Sequence, residues 1–167
     1  MYLLCTDGVA EFDLATQRFK TLLQGNVDAI YFNEKLYIGK REEVFVYNES
    51  TGNFDLFYHL AGKNITLSCL HLDKNKNLWM GTTSNGIYCL SEDKSLSRPV
   101  TKGNITSIYE DSSNELWIGS WEEGLYRVKT DGNIENLRHN PMNTNSLCSN
   151  FCLLYTSDAA DEARSVD

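Results

Sequence analysis

The pentapeptides LWMGT at residues 78–82 and LWIGS at 116–120 are near copies placed 38 positions apart. Each is followed by Gly, an aliphatic residue and Tyr: GIY at 86–88 and GLY at 124–126. Repetition at a period of roughly 20–50 residues constrains a fold more tightly than composition does, because each unit must be the same small structure resting on its neighbours. Two worn copies complete the set: LYIG at 36–39 with VFVY at 44–47, and YLLCT at 2–6 with GVAEFD at 8–13. The last three copies are preceded by a second shared phrase, NVDAIYFNE at 26–34, NITLSCLHLD at 64–73 and NITSIYED at 104–111. A fourth segment closes each unit: RFKTLLQ at 18–24, NFDLFYHL at 53–60, LSRPVT at 96–101 and NIENLRH at 133–139.

These runs are short, alternate with period two and favour β-branched and aromatic residues, which predicts strands. The breaks between them (DKNKN at 73–77, DSSN at 111–114, STGN at 50–53, TDGN at 130–133) are turn chemistry. Four short antiparallel strands per unit of about 40 residues predict one blade of a β-propeller, whose two faces are covered only by adjacent blades. The predicted fold is therefore all-β: a propeller fragment in an open arc, with a partial blade at 1–24 and complete blades at 26–60, 64–101 and 104–139. Residues 140–151 would lead into a further blade. Gly39, Gly81 and Gly119 fall inside second strands, where glycine weakens pairing unless another backbone approaches closely. Leu36, Trp79 and Trp117, with Tyr37 at the position matching the tryptophans, are predicted packing groups between sheets. Gly86 and Gly124 sit where second strand turns into third, a place that favours φ > 0.

Composition sets the outer bounds. An apolar content of 41% and only two prolines are those of a globular chain. The formal charge of −8 argues against nucleic acid or an anionic membrane surface as partner. No apolar run is long enough to span a bilayer, and MYLLCTDG has no basic region of a signal peptide, so Met1 is compatible with an internal start. The last segment, CLLYTSDAADEARSVD at 152–167, fits no repeat. Its first part resembles the translated read-through of a transposon-based sequencing adapter, and 152–167 is accordingly set aside as a non-native tail.

The stretch NELWIGSWEEGLYRVKTDGNIENLRHNPMNTNSLCSN at 114–150 resembles the two-component regulator propeller repeat. That family's phrase is an Asp- or Asn-rich turn, LWIGT, a Gly-rich turn, GL, an aromatic strand and then H-x-P-x-N-x-x-S-L-x-S-N. The match here runs through Leu116–Gly119, Gly124–Leu125, His139, Pro141, Asn143, Ser146, Leu147, Ser149 and Asn150. Two departures stand out: Lys40-Arg41-Glu42-Glu43 replaces the Gly-rich turn of the second blade, and Cys5 replaces the family glycine in the first. The resemblance implies the periplasmic sensor region of a hybrid two-component histidine kinase, Bacteroidetes-like, recognising an oligosaccharide and regulating glycan-utilisation genes. It further implies partners in the remaining blades and downstream domains of the same receptor, and allows a homodimer.

In a propeller the turn between second and third strands shares one rim with the loop between blades, and rim loops carry function. The turns are Lys40–Glu43, Thr83–Asn85 and Trp121–Glu123; the loops are 60–64, 102–104 and 140–150. Trp121, Glu122, Glu123, Arg41, Asn85 and Arg138 are thus the expected ligand-binding residues, with Trp121 stacking on a sugar ring and the acids accepting hydroxyl hydrogen bonds. The plainer alternative is a tryptophan covering a blade edge beside solvated acids. An interaction or dimerisation scaffold without a small-ligand site is the competing function.

Enzyme readings are weaker. Glu122 and Glu123 are adjacent on one chain segment and would point apart, unlike the facing carboxylates of a glycosidase. A propeller lyase is the best enzyme alternative, but no catalytic residue, cofactor or metal is assigned. Cys69 and His71 make a C-x-H on one strand face, two ligands short of a metal site. Cys69 and Cys89, separated by a strand, are not expected to form a disulfide. Of the three N-x-[ST] sequons, at Asn48, Asn64 and Asn104, the latter two are expected at one equivalent repeat position.

Overall fold

The computed structural model describes residues 1–61, 65–97 and 101–154. Fifteen strands in chain order form four antiparallel sheets among the described residues. The first sheet has three strands, β1 Tyr2–Cys5, β2 Gly8–Asp13 and β3 Arg18–Gln24. The second comprises β4 Ala29–Asn33, β5 Lys35–Lys40, β6 Glu43–Asn48 and β7 Asn53–His59. The third comprises β8 Leu67–Leu72, β9 Leu78–Thr82, β10 Ile87–Leu90 and β11 Leu96–Ser97. The fourth comprises β12 Ile105–Glu110, β13 Leu116–Ser120, β14 Leu125–Val128 and β15 Ile134–Leu137. Within every sheet spatial order follows chain order. First strands meet their successors across blades, β1 with β4, β4 with β8 and β8 with β12. This is an open arc of propeller blades, three of them four-stranded.

The repeated L-W-x-G phrase is explained by the two-residue period of a strand. On β9, Leu78 and Met80 join the cluster shared with the second sheet, around Tyr37, Val44, Leu67 and Leu70. Trp79, one residue out of phase, joins the cluster shared with the fourth sheet, around Ile105, Ile118 and Tyr126. On β5, Leu36 and Ile38 pack on Val9 of the first sheet, and Tyr37 faces the third. Second strands are thus buried on both faces, which is why all five residues of β9 are buried.

The strand glycines lie where the next blade comes closest. A Cβ on Gly39 would stand 3.0 Å from Leu67 Cδ1, and one on Gly81 2.8 Å from Ile105 Cγ2 and 2.4 Å from Cys69 Sγ. At Gly119 the neighbour is the backbone oxygen of Cys152, 2.8 Å away. Cys152 donates its N–H to Ser120 O at 2.9 Å, and Thr106 Oγ1 donates to Cys152 O at 2.5 Å. Residues 152–154, the opening of the segment set aside as a tail, therefore lie along the fourth sheet as Ile105 lies along the third. The rest of that tail, 155–167, lies outside the described residues, as does 98–100 of the expected LSRPVT strand.

Two features depart from the sequence reading. Strand β8 is bulged between Leu67 and Cys69, and β12 between Ile105 and Ser107, whereas β4 pairs with β5 in unbroken register. With Leu67 opposite Thr82 and Ile105 opposite Ser120, Leu67 corresponds to Ile105. Thr66, not Asn64, is then the counterpart of Asn104, so the expected equivalence of the two sequons fails by two residues; Asn64 itself lies outside the described residues. The second departure concerns Trp117. It is only half-buried, because no described sheet follows on its side; Arg127 stands over its ring at 5.2 Å.

The tryptophans carry a polar anchor that the repeat pattern concealed. Trp79 Nε1 donates to Asp73 Oδ2 and Trp117 Nε1 to Asp111 Oδ2, both at 2.8 Å. Asp73 also accepts from Asn77 N and Asn77 Nδ2, closing the DKNKN turn. All five cysteines are free. Burial pushes the Cys69 thiol up to about 12 and the Cys89 thiol up to about 11. His71 lies 5.2 Å from the Tyr31 ring and 3.7 Å from Glu110, and its burial, outweighing the nearby carboxylate, lowers its pKa.

Candidate functional site

The rim turns of the third and fourth blades are built from one device. Thr82 Oγ1 donates to Gly86 O at 2.7 Å and accepts from Asn85 N at 2.9 Å. Ser120 Oγ donates to Gly124 O at 2.8 Å and accepts from Glu123 N at 2.9 Å. Both hydroxyl residues are fully buried, and the closing glycines have φ of 73° and 83°. Side chains at Gly86 or Gly124 would meet the carbonyls of Thr101 or Leu137 at 2.3 Å. The last letter of LWMGT and LWIGS is therefore the turn's clamp, a role the sequence pattern held but did not reveal.

The clamp presents Trp121, Glu122 and Glu123 against the loop that joins third and fourth blades. Trp121 N donates to Asn104 O at 2.9 Å. Thr83, Gly103, Asn104, Trp121, Glu122 and Glu123 together line an open cleft of about 300 Å³. Trp121 is 52% exposed, and the edge-on ring of Phe151, 4.4 Å away at 83°, fixes its orientation. Arg138, just past β15, donates to Glu123 Oε2 at 2.9 Å and to Glu122 O at 3.5 Å. Among the described residues the exposed Glu122 carboxylate has no hydrogen-bond or ion-pair partner.

Four of the six expected ligand residues thus come together: Trp121, Glu122 and Glu123 line the cleft and Arg138 is tied to it. Asn85 stands beside it, bridging Gly103, with its Oδ1 accepting from Ser84 Oγ. Arg41 does not join them. It lies at φ 53°, its N–H on Asp28, in a separate cleft with Asn26, Lys40, Glu42 and Glu43.

The loop after β15 shows why its sequence is so specific. His139 N donates to Asn150 Oδ1 at 2.7 Å, and its ring Nδ1 lies 2.6 Å from Leu147 O. Asn140 N donates to Ser146 Oγ, Asn145 N to Asn143 Oδ1, and Gly124 N to Asn150 O. The loop is folded on itself and pinned to the Trp121 turn. Phe151, which buttresses Trp121, is the functional neighbour that sequence reasoning missed; nothing in the repeat marks it as a partner of a turn 30 positions earlier.

The fold and this rim define the class: an arc of β-propeller blades with a ligand-sized cleft between two blade turns. The model of the two component regulator propeller family matches residues 59–84 and 99–122. No curated protein sequence matches the chain. Among solved structures, the extracellular domain of BT4673 from B. thetaiotaomicron, described as a proposed hybrid two component system, superposes with a TM-score of 0.73 at 20% identity. That match covers 90% of this chain and 22% of the other. The extracellular domain of BT3049 from the same organism, described likewise, gives 0.70 at 23% identity, over 90% of this chain and 21% of that one. Virginiamycin B lyase from Staphylococcus aureus gives 0.57 at 18% identity, over 69% and 41% respectively. The chain spans about a fifth of the length of the two sensor-type structures. At these identities the likeness is one of fold.

Proposed function

We propose that this chain is part of the extracytoplasmic, ligand-sensing propeller of a hybrid two-component receptor, and that the ligand is an oligosaccharide whose arrival regulates glycan-utilisation genes. The match to the regulator propeller model and the shared fold support the receptor reading. The observation that carries the ligand is Trp121: a large apolar ring, half exposed, held rigidly in a cleft beside hydroxyl-binding groups. An exposed indole face stacks on the C–H face of a sugar, and Glu122, Asn104 and Thr83 supply acceptors and donors for its hydroxyls. The cleft is open and unlike an enclosed catalytic pocket, and Glu123 is engaged by Arg138 rather than free to act as a general base.

Isothermal calorimetry of the chain against a panel of oligosaccharides tests this reading. Binding to at least one member is expected, with Trp121→Ala weakening it about tenfold. Absence of binding across the panel, or binding indifferent to Trp121→Ala, would overturn it. The competing scaffold reading draws on the apolar groups left exposed toward the ends of the arc, Phe19 and Leu14 in the first blade and Leu153 after the fourth.

A further inference from the structure

Resting on the reading that the Trp121 cleft takes a saccharide, we infer that Glu122 makes the cleft charge-selective and that its ligand carries amino groups rather than carboxylate or sulfate. Among the described residues the lining holds two carboxylates and no basic side chain. Arg138 neutralises one of them, and its guanidinium is spent on Glu123 Oε2 and Glu122 O. Glu122 is left as an exposed, unpaired negative charge next to the exposed Trp121 ring. An aromatic face attracts a cation through its quadrupole, so ring and carboxylate favour the same ligand charge. Lys102 precedes Gly103 in the chain but is not among the lining residues. The corresponding cleft of the second blade is different: there Lys40 and Arg41 line the cleft among Glu42, Glu43 and Asp28, two cations interleaved with three carboxylates. The preference rests on the Trp121 cleft having only carboxylates as its charged lining among the described residues.

Three β-1,4-linked hexamers with the same backbone, of glucosamine, glucose and glucuronic acid, isolate the charge effect. A unit charge about 5 Å from Glu122 in a water-like medium changes affinity about fourfold, so cationic and anionic hexamers should differ about tenfold at low salt. Calorimetry on the chain in 20 mM salt should give the order glucosamine, glucose, glucuronic acid. Glu122→Gln should shrink the tenfold span to about threefold or less, while Glu49→Gln, remote from the cleft, should leave it. Equal binding of the three hexamers, a reversed order, or a span unchanged in Glu122→Gln would overturn the charge assignment and leave the saccharide reading standing. Silence from these hexamers and from the broader panel above would overturn both together.

Discussion

The indole nitrogens of Trp79 and Trp117 show how much one polar atom decides in this fold. The Trp79 ring lies between sheets and the Trp117 ring on the outer face of the fourth, yet in both the N–H needs a partner, and an aspartate six positions earlier supplies one. Trp79→Phe removes the indole N–H from Asp73 Oδ2, which keeps its bonds from Asn77, and leaves a smaller ring between the sheets, so a loss of about 1–3 kcal/mol is expected in urea unfolding. Asp111 gives the same bond a pH dependence. Donation from the Trp117 indole first, and from the Glu115 and Ser113 N–H groups, lowers its pKa. A depressed folded pKa means that stability is fully present above the unfolded value near 4 and drains away as pH falls through the folded one. The urea midpoint should therefore drop between pH 5 and pH 3, less steeply in Asp111→Asn. Thiol chemistry offers a third check. Cys69, partly buried, and Cys89, buried, both with raised pKa, should resist a thiol reagent at pH 8 that labels the exposed Cys5 and Cys148. All should react in denaturant.

At the scale of the strand, the second strand of each blade is the most constrained element, because adjacent residues face different neighbours and neither face is open. Gly81→Ala pushes a methyl into Ile105 and Cys69 from two blades at once. It should cost about 1–3 kcal/mol, and a change under 0.5 kcal/mol in urea unfolding would contradict the close approach described. The four-strand plan of each blade was legible from period and turn residues alone. What escaped was the bulge in β8 and β12, since one irregular residue leaves the alternation readable on both sides of it while shifting the register at the rim. The bulge is common to both strands, so the misalignment of Asn64 with Asn104 has another origin: N-I-T begins three residues before Leu67 but one residue before Ile105. The hydroxyl clamps Thr82 and Ser120 escaped for a related reason: a residue ending a buried strand looks like packing until its turn is seen to close over it.

For the whole molecule, the arc matters more than any blade. Contacts run from each sheet to the next, so blades stabilise one another in the manner of a linear array. The end sheets keep one face without a described neighbour, and Phe19, Leu14, Tyr109, Phe151 and Leu153 remain exposed. Apolar surface of this kind promotes association. Sedimentation of the chain should show concentration-dependent association in the micromolar range; a clean monomer there would contradict the open arc.

The repeat by itself determined the architecture, because a two-faced sheet written several times at one period has few ways to bury itself other than stacking in sequence. It also marked the rim turns, since turn residues interrupt the strands at fixed places. Which rim residues meet was decided only by the tertiary structure. Arg138 reaches back 15 positions to Glu123, Phe151 reaches back to Trp121, and Arg41 stands on the second blade, two before the Trp121 turn. The first two pairings depend on how the turn after β13, the end of β15 and the loop beyond it close over one rim, and the separation of Arg41 on how the blades stack; both follow from packed side chains and backbone bonds between distant positions rather than from any local pattern in the chain.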